Sequence, residues 1–107
     1  MTWSVEILNA EVLSELEALP PDFRARFERI VRLIQSFGLE RVHEPYIRHV
    51  EGLIWEMWLK GRAGIARALY ITAARQRVVV VRVFKKKTQA TPRREIELAL
   101  RRASEVK

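Results

Sequence analysis

Apolar and polar residues alternate at the start of the chain, where Trp3, Val5 and Ile7 are separated by Ser4 and Glu6, the period of a half-buried strand. Asn9 follows as a helix cap ahead of Val12, Leu13 and Leu16, and the pair Pro20 and Pro21 stops that helix. The period then becomes helical. Asp22 can cap a second helix whose Phe23, Phe27, Ile30, Val31 and Ile34 form one apolar stripe up to Gly38. Arg24, Glu28, Arg29, Arg32 and Gln35 fill its other face and read as a solvated surface with no assigned chemistry. Residues 40–52 hold neither period and carry Pro45 and Gly52, so they are expected to be a connection.

Strands dominate the chain between residues 53 and 84. Residues 53–59 include Trp55 and Trp58, residues 66–72 make a third strand after a glycine-bearing turn at 60–64, and 77–84 make a fourth after a turn at 73–76. The fourth holds Val78 to Val81 and Val83, with Phe84 at its end. Thr91 and Pro92 then open a closing helix with Ile96, Ala99, Leu100 and Ala103 on one stripe. The expected fold is α+β, in the order βααβββα: one domain over residues 1–107, a small mainly antiparallel sheet and helices packed on one face. There is no internal repeat or low-complexity segment.

Charge separates the two halves. Residues 1–53 hold 6 basic and 9 acidic side chains, whereas residues 54–107 hold 14 and 4. Lys85, Lys86 and Lys87 crowd the end of the last strand, and their mutual repulsion is relieved best by a polyanion, which makes nucleic acid the leading partner. The chain has no cysteine, which excludes disulfides, thiolate metal sites and cysteine nucleophiles. No apolar run is long enough to span a bilayer and no signal peptide opens the chain, so a cytoplasmic protein without membrane contact is expected.

Hairpin geometry can bring Lys60, Arg62, Arg67, Arg82, Lys85, Lys86 and Lys87 to one surface. Strict alternation would put Val80, Arg82 and Phe84 on one strand face, and Arg67 with Leu69 and Ile71 on another. Arginines at such positions either pair with Glu56 or Glu95 or hold an anion, and the scarcity of acids in this half favours the anion. A guanidinium fork grips phosphate, and a lysine among cations titrates closer to neutrality, a combination able to cleave RNA without metal through attack of the ribose 2′-hydroxyl. Tyr70 and Phe84 are candidates to stack on bases. His43 and His49 match no metal motif, Glu44 beside His43 has no fixed geometry for acid–base work, and Gly61 and Gly64 are turn residues rather than a phosphate loop.

Trp55 with Glu56, the turn from Gly61 to Gly64, Arg67 with Tyr70, and Phe84 followed by the segment KKTQATP together resemble the HigB-like branch of the RelE/ParE toxin superfamily. The resemblance implies the toxin of a type II toxin–antitoxin pair: a ribosome-dependent endoribonuclease that cuts mRNA, needs no cofactor, and is neutralised by a cognate antitoxin, commonly of helix-turn-helix type, through which it meets operator DNA indirectly. By matching positions it implies catalytic roles for Arg67, Lys86 and Lys87, with Lys60, Arg62 and Arg82 assisting; these last three, with Tyr70, Phe84, Lys85 and Thr88, are the expected RNA contacts. Trp58 departs from the pattern, standing where the branch commonly has arginine. That change either weakens cleavage, alters which group activates the 2′-hydroxyl, supplies a stacking platform, or simply places a tryptophan in the core or against a partner. Alternative readings are a ParE-like inhibitor of DNA gyrase and a noncatalytic nucleic-acid-binding module.

Overall fold

The computed structural model describes residues 2–43, 45–86 and 90–107. Strand β1 (Ser4–Ile7) leads into helix α1 (Ala10–Glu17) and helix α2 (Pro21–Phe37), and a single 3-10 turn (Leu39–Arg41) precedes strand β2 (Ile47–Glu51). Strands β3 (Ile54–Gly61), β4 (Gly64–Ala73) and β5 (Arg77–Lys86) come next, and helix α3 (Arg93–Ala103) closes the chain. The five strands form one sheet in the order β1-β5-β4-β3-β2. All neighbours are antiparallel except β1, which lies parallel to β5 with Ser4 opposite Arg77. A parallel pair needs a crossover connection, whereas β3, β4 and β5 need only tight turns.

Four expectations are corrected. The segment expected to connect α2 to the sheet contains a fifth strand, so the order is βααββββα. Residues Ile47–Glu51 lack apolar alternation because β2 is an outer strand whose Arg48 and His49 are exposed, and only Ile47 among its residues is buried. Its pairing with β3, Ile47 opposite Met57 and Arg48 opposite Glu56, is what holds it.

Helices cover both faces of the sheet, not one. Val12 of α1 and Phe23, Phe27, Ile30 and Ile34 of α2 pack with Met57, Leu59, Ala66, Ala68, Tyr70, Val78, Val80 and Val83. Ala99 of α3 packs on the other face with Ile54, Leu69, Ile71, Val79, Val81 and Phe84. Valines at consecutive positions of β5 thus serve two cores, which is why that strand reads as an unbroken apolar run.

Strict alternation also fails along β5. Leu69 pairs with Arg82 but Tyr70 pairs with Val80, so Val81 is an extra residue and the strand bulges there. The bulge moves Phe84 to the α3 face, opposite to Val80, and leaves Arg82 opposite Leu69. The helix starts differ too. Asn9 caps α1 as expected, accepting from the Val12 N–H at 3.0 Å. Asp22 does not cap α2, which begins on Pro20 and Pro21. Its carboxylate instead accepts from the Arg62 N–H at 2.7 Å, pinning the β3–β4 turn to the helix. Gly61 permits that approach, since a Cβ there would lie 2.8 Å from both Asp22 and the Phe23 ring.

Candidate functional site

Period two on β3 turns Glu56 and Trp58 toward the α3 face, where Arg67 on β4 and Phe84 and Lys86 on β5 also point. Trp58 lies directly opposite Arg67, and Arg67 directly opposite Phe84. The row beyond holds Lys60, Ile65 and Lys86 side by side. These registers bring Arg67, Phe84 and Lys86 together, as the sequence suggests.

Arg67 is nevertheless buried, 1% exposed, and it is paired. Its Nη1 lies 3.1 Å from Glu56 Oε2 and also 3.1 Å from the Thr91 hydroxyl, which in turn donates to Glu56 Oε1 at 2.6 Å. Trp58 Nε1 donates to Glu56 as well. Glu56, 2% exposed, therefore accepts from three side chains, which compensates the loss of water around its charge. The expectation that Arg67 would face an anion for want of acids is corrected in this respect: a protein carboxylate already holds it.

The Trp58 ring carries two guanidinium groups. Arg67 Cζ lies 4.5 Å from the ring centroid and Arg48 Cζ, from the strand on the other side of β3, lies 4.9 Å from it. Sequence reasoning misses Arg48, because the segment holding it looks like a connection and only the β2–β3 register reveals its neighbour. Thr91, expected merely to open α3, joins the Glu56–Arg67 pair instead, while Pro92 takes the cap position without a side-chain hydrogen bond.

Lys86 is the unsatisfied member of the group. Its Nζ is shielded from solvent and has no hydrogen-bond partner among the described residues. Desolvation, followed by the Arg67 charge, pushes its ammonium below the ordinary lysine range.

Other expected residues lie elsewhere. Tyr70 is on the α2 face, 1% exposed, its hydroxyl buried without a partner among the described residues and pushed upward in pKa by desolvation, so it cannot stack on a base beside Arg67. Phe84 is 8% exposed within the α3 core, with Arg82 5.6 Å from guanidinium to ring centroid, and its burial argues against base stacking there too. Lys85 also turns to the α2 side, where its Nζ stands 5.4 Å from the Phe23 ring centroid. Arg82 pairs with Glu95 at 2.7 Å and Glu15 at 2.8 Å rather than awaiting phosphate. Burial opposes its charge, but those two carboxylates outweigh it and raise the pKa. Lys60 and Arg62 line a groove against α2. Lys87 and Thr88, like Glu44, lie outside the described residues.

His49 Nε2 is 2.8 Å from the Gly52 carbonyl, and His43 and His49 line a cavity of about 710 Å³ on the α2 face. Among the described residues no three His, Asp or Glu side chains are grouped to hold a metal ion. No helix among them is long and apolar enough to cross a membrane.

A basic, partly shielded face of this kind, with a lysine whose Nζ has no hydrogen-bond partner among the described residues, can neutralise a phosphodiester. Comparison with known proteins narrows the setting. Residues 14–104 match the family model described as Phage derived protein Gp49-like (DUF891). No curated protein matches the chain. Among solved structures, a mutant of the E. coli toxin RelE in the free state superposes with a TM-score of 0.63 at 17% identity, covering 95% of this chain and 98% of that one. The archaeal RelE–RelB complex from Pyrococcus horikoshii OT3 gives 0.57 at 20% identity, covering 78% and 94%. With its five-stranded sheet and three helices, the chain belongs to the phage-derived Gp49-like family and has the RelE fold.

Proposed function

We propose that this protein is the toxin of a type II toxin–antitoxin pair and acts as an endoribonuclease on ribosome-bound mRNA, held inactive by its antitoxin. The reading rests on the Gp49-like family, on the RelE fold, and on a solved neighbour that is a RelE–RelB complex. The observation that carries it to RNA is Lys86, a cation shielded at its Nζ, without a hydrogen-bond partner among the described residues, on the same sheet face as Arg67.

In the proposed reaction the ribose 2′-hydroxyl attacks the adjacent phosphorus and gives up its proton to solvent water, a new O2′–P bond forms and the P–O5′ bond breaks. The products are a 2′,3′-cyclic phosphate and a 5′-hydroxyl. Charge accumulates on the phosphoryl oxygens in the transition state, and positive groups fixed beforehand stabilise it most. Lys86 is assigned to that charge and to delivery of a proton to O5′, since a depressed pKa makes an ammonium a better acid. Arg67 contributes from beneath the surface, its Nη1 shared between Glu56 and the Thr91 hydroxyl. Glu56 and Trp58 hold Arg67 in position, with Arg48 adding a cation above the Trp58 ring. Lys87 completes the proposed catalytic set, with Thr88 as an RNA contact.

The test is an in-vitro translation reaction on a defined mRNA, with primer extension to find new ends. Cuts within the reading frame that require ribosomes and disappear with Lys86→Met support the reading. Intact mRNA, with translation unaffected, would reject it.

A further inference from the structure

Beside the β3–β4 turn, Asp22, Arg26 and Arg29 of α2 meet Tyr46, Lys60 and Arg62 around an open groove of about 590 Å³. Four cations face one carboxylate, and that carboxylate is committed to the Arg62 N–H at 2.7 Å. None of the four basic side chains forms an ion pair with a described residue, in contrast to Arg77, Arg82, Arg93 and Arg102. The Arg26 guanidinium lies 5.9 Å from the Tyr46 ring centroid, so an aromatic surface adjoins the charge. The groove is built rather than incidental: Gly61 lets the turn close on Asp22 and Phe23 with no room for a Cβ.

From this we infer that the groove is a second RNA-binding site, a phosphate track for a single strand whose remaining length crosses the Lys86 face. Lys60 belongs to both places. It lines the groove, and it stands in the cross-strand row Lys60, Ile65, Lys86, which sets Lys60 and Lys86 about 10 Å apart at ordinary strand spacing. Guanidinium forks suit phosphate oxygens, and a mixture of cations with an aromatic ring is how single strands are held without sequence preference. An acidic polypeptide would satisfy the charge but leave the Tyr46 ring without a planar partner. The inference rests on the proposed RNA chemistry and extends it by giving the strand a path away from the reacting phosphate.

The test measures binding of the full-length protein to a fluorescein-labelled 2′-O-methyl oligouridine, which cannot be cut by 2′-oxygen attack. The Arg26→Ala/Arg29→Ala variant should bind at least about fivefold more weakly and lose about 1.4 from the slope of log affinity against log salt, the share of two phosphate contacts. A matched control, Arg32→Ala/Arg41→Ala, removes the same charge from exposed positions outside the groove and should bind like the wild type. Thermal midpoints of both variants verify folding. Equal weakening by the control, an unchanged groove variant, or tighter binding of an oligoglutamate of equal length would each overturn the inference. A normal groove variant leaves the ribonuclease reading intact. A wild type that binds with the expected slope but cuts nothing sinks the ribonuclease reading and spares the groove.

Discussion

Glu56 and Arg67 pair diagonally across β3 and β4, Oε2 to Nη1 at 3.1 Å, because Trp58 occupies the position directly opposite Arg67. The three side chains thus form one unit, in which the tryptophan donates to the acid with its ring nitrogen and faces the arginine with its ring.

Breaking that unit from the acid side should be costly. Glu56→Ala leaves a guanidinium that is 1% exposed without its carboxylate, a loss of about 3 kcal/mol or more. At roughly 4 °C per kcal/mol or more for a domain of this size, the thermal midpoint should fall by at least about 12 °C. A calorimetric midpoint within a few degrees of wild type would show that the pair contributes nothing to stability.

Trp58 separates a hydrogen-bonding role from a ring role. Trp58→Phe removes one donor from Glu56 but keeps an aromatic surface between Arg48 and Arg67, so it should cost about 1 kcal/mol and retain RNA cleavage. Trp58→Ala should lose most cleavage, because both guanidinium groups lose the surface they lie on. Denaturant unfolding together with a cleavage assay distinguishes the two, and equal activity of both variants would contradict the role given to the ring.

At the sheet edge beyond β1, Glu15 accepts from the Val83 N–H at 3.0 Å and Arg102 donates to the Val81 carbonyl at 2.9 Å, so an ion pair replaces the missing strand. Burial alone would raise the Glu15 pKa, but Arg102, the Val83 N–H and Arg82 outweigh it and lower the value. A carboxylate whose folded pKa is depressed contributes stability above its unfolded value of 4.5, and that contribution is lost as pH falls through the folded value. Glu15→Gln should therefore cost about 2 kcal/mol at neutral pH. The difference from wild type should shrink in urea titrations as pH falls below 4.5. A difference that does not change with pH would exclude the linkage.

Lys86 has the opposite sign. Its ammonium is disfavoured in the fold, so the penalty is fully present below its depressed pKa and is relieved as pH rises through that value toward 10.5, where stability increases. Lys86→Met should fold at least as stably as wild type at neutral pH, abolish that alkaline rise, and lower RNA cleavage by about 100-fold or more. A stable, fully active variant would remove Lys86 from the catalytic set.

Local patterns in the chain carry β1, both early helices, the three hairpin strands and α3, because each buries a side with a clean period. Strand β2 is hidden because an outer strand with Arg48 and His49 exposed has no period to read. The two-sided burial of β5 erases the clue that α3 lies on the face opposite to α2, and the bulge at Val81 breaks the alternation that would place Phe84. The site is legible as a set of cations but not as a set of pairs. Glu56 is a visible partner for Arg67. Glu15 reaches Arg82 from a helix 67 positions earlier, a contact that only the tertiary fold creates.

The central claim is that this chain cuts translated mRNA, and brief induction in cells with genome-wide mapping of new mRNA 5′ ends tests it most directly, with Lys86→Met and Arg67→Ala induced in parallel. New ends inside reading frames, lost in Lys86→Met while that variant accumulates as folded protein, are the predicted result. Growth arrest with no new ends, and with DNA synthesis failing first, would contradict it.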